Sequence, residues 1–108
     1  ASSSFPKIVN YVYQKFNLAK YMEGFVNVNN IKNGKPDPEI FLKAAEQLAL
    51  KPEECIVIED SMNGVIAAKK ANMKCVAFNN REDAMQNLEE ADLLISEFNQ
   101  ENFNKIFA

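Results

Sequence analysis

The sequence predicts an α/β fold, a layered sandwich around a mostly parallel sheet. Three observations predict it. Helix-patterned and strand-patterned segments alternate with short connections, which favours parallel strands joined by crossover helices. Cys55-Ile56-Val57-Ile58 is apolar at four consecutive positions, as expected of a parallel strand buried on both faces. That run stops at two adjacent carboxylates, Glu59-Asp60. Open α/β sheets bind ligands outside the carboxyl ends of their strands, so this is where polar residues carry most meaning.

Taken in order, Phe5, Ile8, Val9, Val12, Tyr13 and Phe16 recur at the spacing of a helix with one apolar face. Ser4 is its expected N-cap, with Pro6 tolerated in the first turn. Residues Gly24 to Val28 read as a short strand, followed by a polar turn from Asn29-Asn30 to Asn33-Gly34. Asp37-Pro38-Glu39 opens the next helix, because the Asp caps and Pro fits the first helical position. Ile40, Phe41, Ala44, Ala45 and Leu48 supply its buried face, and Pro52 ends the connection. After the 55–58 strand, a small-residue helix runs from about Met62 to Ala71, its alanines permitting close packing. Lys74–Phe78 reads as a strand, Asp83–Glu89 as a short helix, Leu93–Ile95 as a last strand and Asn99–Phe107 as a terminal helix.

Composition removes several functions. The chain has 108 residues, 47% hydrophobic and 25% charged, with net charge −3, which suits a single domain. No apolar run approaches the roughly 18 residues of a membrane span, so no membrane is expected. Eight Phe and three Tyr among many aliphatics argue against disorder. Arg81 is the sole arginine and the balance is acidic, poor equipment for binding nucleic acid. Histidine is absent, which excludes a Ser-His-Asp triad and any His metal ligand within these residues. Cys55 and Cys75 lie far apart in apolar runs, and read as two buried thiols in a reducing cytoplasm.

Three polar groups fall near helix starts and strand ends. Glu59-Asp60 places two carboxylates after a buried strand, which demands positive compensation; Mg²⁺ is a natural partner, and capping of the next helix by Asp60 or Ser61 is the alternative. Lys35 sits in Gly34-Lys35-Pro36-Asp37-Pro38, where two prolines stiffen the loop; it reads either as a phosphoryl-neutralising charge or as a surface lysine. Ser2-Ser3-Ser4 precedes the first helix and reads as an anion site or a simple cap. Together, hydroxyls, a cation and paired carboxylates describe a Mg²⁺-dependent phosphoryl-transfer site.

The run Gly34-Lys35-Pro36-Asp37-Pro38-Glu39-Ile40-Phe41, followed by Cys55 to Val65 with Glu59-Asp60-Ser61-Met62-Asn63-Gly64, then Ala67-Ala68 and Ala71-Asn72-Met73, closely resembles haloacid dehalogenase superfamily hydrolases. The nearest branch is the β-phosphoglucomutase and sugar-phosphatase group. The resemblance implies a Rossmann-like three-layer sandwich acting on small phosphorylated metabolites through an aspartyl-phosphate. It implies phosphate contacts from Ser2 and Ser3, catalytic charge balance and phosphate binding from Lys35, and Mg²⁺ binding by Asp60 with support from Glu59. Asn72 stands where the family usually has Gly, at a turn whose left-handed backbone Asn tolerates.

One departure is large. The family's first motif, an Asp-x-Asp after an apolar strand, has no match, since Asp occurs only at positions 37, 60, 83 and 92. No inserted cap domain is present either. The expectation is therefore that residues 1–108 form the C-terminal part of a core domain, incomplete because the first strand and cap are missing, and inactive alone. An uncovered parallel sheet edge predicts self-association, or binding to the missing part. The alternative is a non-catalytic α/β module that binds phosphate, metal or a partner. A phospho-acceptor receiver domain fits poorly, because there the acidic pair comes early and the lysine late.

Overall fold

A computed structural model of the chain describes residues 1–26, 28–79 and 89–107. In it, α1 (Pro6–Lys15) leads through 3₁₀ turns at Leu18–Lys20 and Val28–Asn30 to α2 (Glu39–Gln47). A third 3₁₀ turn, Pro52–Glu54, precedes β1 (Ile56–Glu59), α3 (Met62–Lys70) and β2 (Lys74–Phe78). Then come β3 (Leu93–Ile95) and α4 (Gln100–Ile106). The three strands form one parallel sheet in the order β1-β2-β3, with Val57 beside Cys75 and Val76 beside Leu93. The expected helix over Asp83–Glu89 lies outside the described residues except for Glu89.

Side-chain alternation along β2 divides the core into two. Cys75 and Ala77 face Val57, the α2 residues Ile40, Phe41 and Ala45, and the α3 residues Val65, Ala67 and Ala68. Val76 points to the other face and packs with Ile95 and Ile106 of α4. Helices thus cover both faces, and the three-layer sandwich is the observed architecture. Ile40 has no exposed surface, and burial of such a side chain contributes about 1.5–3 kcal/mol. Asp92 fastens β3 to β2: its N–H donates to the Cys75 carbonyl at 2.8 Å, and its carboxylate accepts from the Cys75 N–H at 2.7 Å.

Several expectations are corrected. Ser4 does not cap α1; Phe5 occupies the N-cap position without a side-chain bond. The Ser4 N–H donates instead to Ser2 Oγ at 3.1 Å, and Pro6 lacks one of the N–H donors that a cap would serve. The strand expected over Gly24–Val28 does not form among the described residues. Val26 makes one link, accepting from the Ser2 N–H at 2.9 Å, and the asparagines after it favour a turn. Leu48 lies just past the end of α2 and is exposed, while Ala44 is half-buried. β1 is buried on one face only. Val57 is buried, but Ile56 and Ile58 are 38% and 48% exposed, because β1 is the sheet edge and α4 covers chiefly β2 and β3. Of the two thiols, Cys75 is buried and Cys55 only half-buried.

Candidate active site

The loop that presents Lys35 is fixed from both ends. The Asp37 N–H donates to the Gly34 carbonyl at 3.0 Å, closing a turn around Lys35 and Pro36. Pro38 rather than Asp37 takes the N-cap position of α2, one residue before the first helical position expected for it, and makes no side-chain cap bond; Asp37 Oδ1 accepts instead from the Glu39 N–H at 3.0 Å in a short local turn. The Glu39 carboxylate in turn accepts from the N–H groups of Lys32 and Asn33 at 2.8 and 2.9 Å. These bonds hold its carboxyl below the usual carboxylate range, the Lys32 bond most of all. A carboxylate in the first turn also suits the helix dipole.

The loop carries Lys35 to the carboxyl end of β1. Lys35 Nζ stands 3.2 Å from Glu59 Oε1, and the two side chains are only 10% and 11% exposed. The ammonium also lies over the Phe41 ring at 5.1 Å from its centroid. The other Glu59 oxygen accepts from the Ser61 hydroxyl at 3.4 Å. Ser61 is the N-cap of α3, its Oγ accepting from the Gly64 N–H at 3.0 Å. Asp60, one residue beyond Glu59, is exposed and makes no hydrogen bond or ion pair among the described residues. The helix-capping alternative therefore belongs to Ser61 and leaves Asp60 open.

The residue before the serine segment reaches the same corner. Ala1 and Glu59 line one cleft of about 230 Å³, together with Phe41, Ala45, Val57 and Met73. Ser2 is half-buried and Ser3 exposed. Ser2 Oγ accepts from the Ser4 N–H, which leaves its own hydroxyl proton to be donated elsewhere. The geometry thus brings Lys35 and Glu59 into contact, with the exposed Asp60 next in sequence, and places Ala1, the residue before Ser2, in the same cleft as Glu59.

Among the described residues no group of three or more His, Cys, Asp or Glu converges as a cation cage. No described helix is long and apolar enough to cross a membrane. Sequence reasoning passed over two residues that shape this corner. Glu39 fastens the lysine loop, and its signal was an acidic residue directly after Asp37-Pro38. Gly64 lies beneath Glu59, and nothing in the linear sequence marks that approach.

The family model for haloacid dehalogenase-like hydrolases matches residues 1–72. The chain is 46% identical over 61 residues to the phosphorylated carbohydrates phosphatase of Thermotoga maritima, covering 56% of this chain and 28% of that protein. It is 37% identical over 78 residues to hexitol phosphatase A of Escherichia coli, covering 72% and 36%. The crystal structure of β-phosphoglucomutase from Clostridium difficile superposes with a TM-score of 0.62 at 36% identity, covering 75% of this chain and 36% of that one. The chain therefore spans about a third of the relatives it matches. With the lysine and acidic motifs meeting at one strand end and the family model matched over two thirds of the length, this chain belongs to the haloacid dehalogenase-like hydrolases.

Proposed function

We propose that this chain supplies the phosphate- and metal-binding part of a Mg²⁺-dependent phosphatase or phosphomutase for small phosphorylated metabolites. The nucleophile would be an Asp-x-Asp carried by polypeptide outside these residues, and the reaction would pass through an aspartyl-phosphate. The observation that carries the reading is the largely buried Lys35–Glu59 pair at the end of β1, followed directly in sequence by the exposed Asp60. Names of the similar proteins (a phosphatase of phosphorylated carbohydrates, a hexitol phosphatase, a β-phosphoglucomutase) support the substrate class.

The donor set suits a water-rich hard cation. Mg²⁺ commonly keeps several waters and takes one or two carboxylates plus substrate phosphate, so it needs no all-protein cage. Asp60 would hold it, and Glu59, already balanced by Lys35, would support it from behind. When bound, the ion would neutralise phosphoryl oxygens and hold them in line for displacement. Lys35 would offer a compact positive charge to the same oxygens, and Ser2 would donate its hydroxyl proton to one of them. Ser3 would add nearby polar contacts. In this reading Asp60 and Glu59 are committed to the cation and Ser2 to donating a hydrogen bond, which leaves the nucleophile outside these residues, so the chain alone would be inactive. Two free thiols support a reducing, cytoplasmic setting.

The test is hydrolysis of p-nitrophenyl phosphate by the longer natural polypeptide and by residues 1–108. The longer protein should turn over with Mg²⁺, and Lys35→Ala or Asp60→Ala should lower kcat by about 10²–10³-fold. Mg²⁺-dependent turnover by residues 1–108, or an upstream sequence without Asp-x-Asp, would overturn the reading.

A further inference from the structure

Gly64 is buried in the first turn of α3, and its φ is not in the left-handed region. Glycine is therefore not required there by the backbone, and within a helix it is a poor choice compared with alanine. Space is what it provides. A Cβ built on Gly64 would overlap Oε2, Cδ and Cγ of Glu59. The Glu59 carboxylate thus lies directly on the Gly64 backbone, with the Ser61 hydroxyl 3.4 Å from one oxygen and Lys35 Nζ 3.2 Å from the other.

We propose that Gly64 is a positioning residue: by lacking a side chain it seats the Glu59 carboxylate against Lys35. Any larger residue at 64 meets the stem of Glu59 as well as its tip, so rotating the carboxylate alone does not relieve the overlap. The carboxylate must leave the seat and release Lys35. This rests on the proposed function only in that Lys35 and Glu59 belong to the site; the contact itself is independent of substrate and metal.

A four-member cycle tests it in residues 1–108, comparing the parent chain with Gly64→Ala, Glu59→Ala and the double variant by urea unfolding. With Glu59 present, Gly64→Ala should shift the equilibrium toward the unfolded state by about tenfold or more. With Glu59 replaced by Ala, the same change should shift it toward the folded state by about fivefold, through helix propensity. A second readout is acetylation of Lys35 by a limiting reagent, followed by mass spectrometry. Labelling should rise severalfold in both Gly64→Ala and Glu59→Ala, because each frees the ammonium. If Gly64→Ala fails to fold while the double variant folds, the proposal stands. Equal effects of Gly64→Ala in both backgrounds, failure of both variants to fold, or unchanged Lys35 labelling in Gly64→Ala would overturn it. Because neither readout involves turnover or metal, failure of the phosphatase reading would leave this result unaffected.

Discussion

Lys35 and Cys75 show how surroundings assign different work to single side chains. Lys35 is held by loop chemistry rather than by a regular element, and its charge meets Glu59 in a half-enclosed corner. The residue types and order of this pair were legible in the sequence, because a lysine between prolines and an acidic pair after an apolar run are both unusual. Their contact was not legible, since 24 residues separate them and only the fold closes that gap. Cys75 has the opposite fate. Burial first, then the negative charges of Glu59 and Asp92, push its pKa from an ordinary 9.0 to about 11. The unfolded chain therefore loses this proton at lower pH than the folded one. Stability from this group is full below pH 9.0 and declines as pH rises through about 11. Cys75→Ala should flatten the alkaline limb of a stability-versus-pH curve measured by denaturant midpoint. A limb unchanged by the substitution would contradict this assignment.

The helices of the core end in a shared way that the sequence revealed at one site and concealed at another. After α3, the N–H of Met73 reaches the Ala68 carbonyl and that of Asn72 the Lys69 carbonyl, with Asn72 at φ 63°. After α2, Leu50 reaches Ala45 and Ala49 reaches Glu46, with Ala49 at φ 56°. Both are Schellman closures, which favour glycine at the left-handed position. The asparagine advertised its turn; alanine does not. Ala49→Gly should raise stability by roughly 0.5–1 kcal/mol, read as a higher urea midpoint, because it relieves the left-handed penalty. A lower midpoint would show that Ala49 is not strained. Strands were legible in proportion to their partners. β2 and β3 lie where their apolar runs predicted, whereas Gly24–Val26 has strand composition with one backbone link to Ser2. A strand is a property of the ladder, and composition reports only willingness to join one.

At the scale of the whole molecule, sheet order decides behaviour. β1 is the edge, and its Ile56 and Ile58 stay open on the face that α4 leaves uncovered. Across a nearby cleft, Ile58 shares its surroundings with Phe98, Phe103 and Phe107. Phe5 and Phe16, flanking α1, are also exposed. Edge strands flanked by apolar surface favour intermolecular pairing. Sedimentation velocity on residues 1–108 should show a sedimentation coefficient that rises with concentration, and Ile58→Lys should suppress the rise. A concentration-independent monomer would contradict it. The resemblance pointed to an uncovered sheet edge, while periodicity alone suggested a strand buried on both faces; only the sheet order distinguishes the two.

In the function proposed above, Ser2, Lys35, Glu59 and Asp60 would receive phosphate and Mg²⁺ together at one corner of this sheet. Its most direct test is a ¹⁵N NMR titration of residues 1–108 with Mg²⁺ in the presence of inorganic phosphate, repeated on Asp60→Ala and Lys35→Ala. Saturable shifts should centre on those four residues, be abolished in Asp60→Ala and be weakened in Lys35→Ala. Shifts that centre elsewhere, fail to saturate, or persist unchanged in both variants would contradict it.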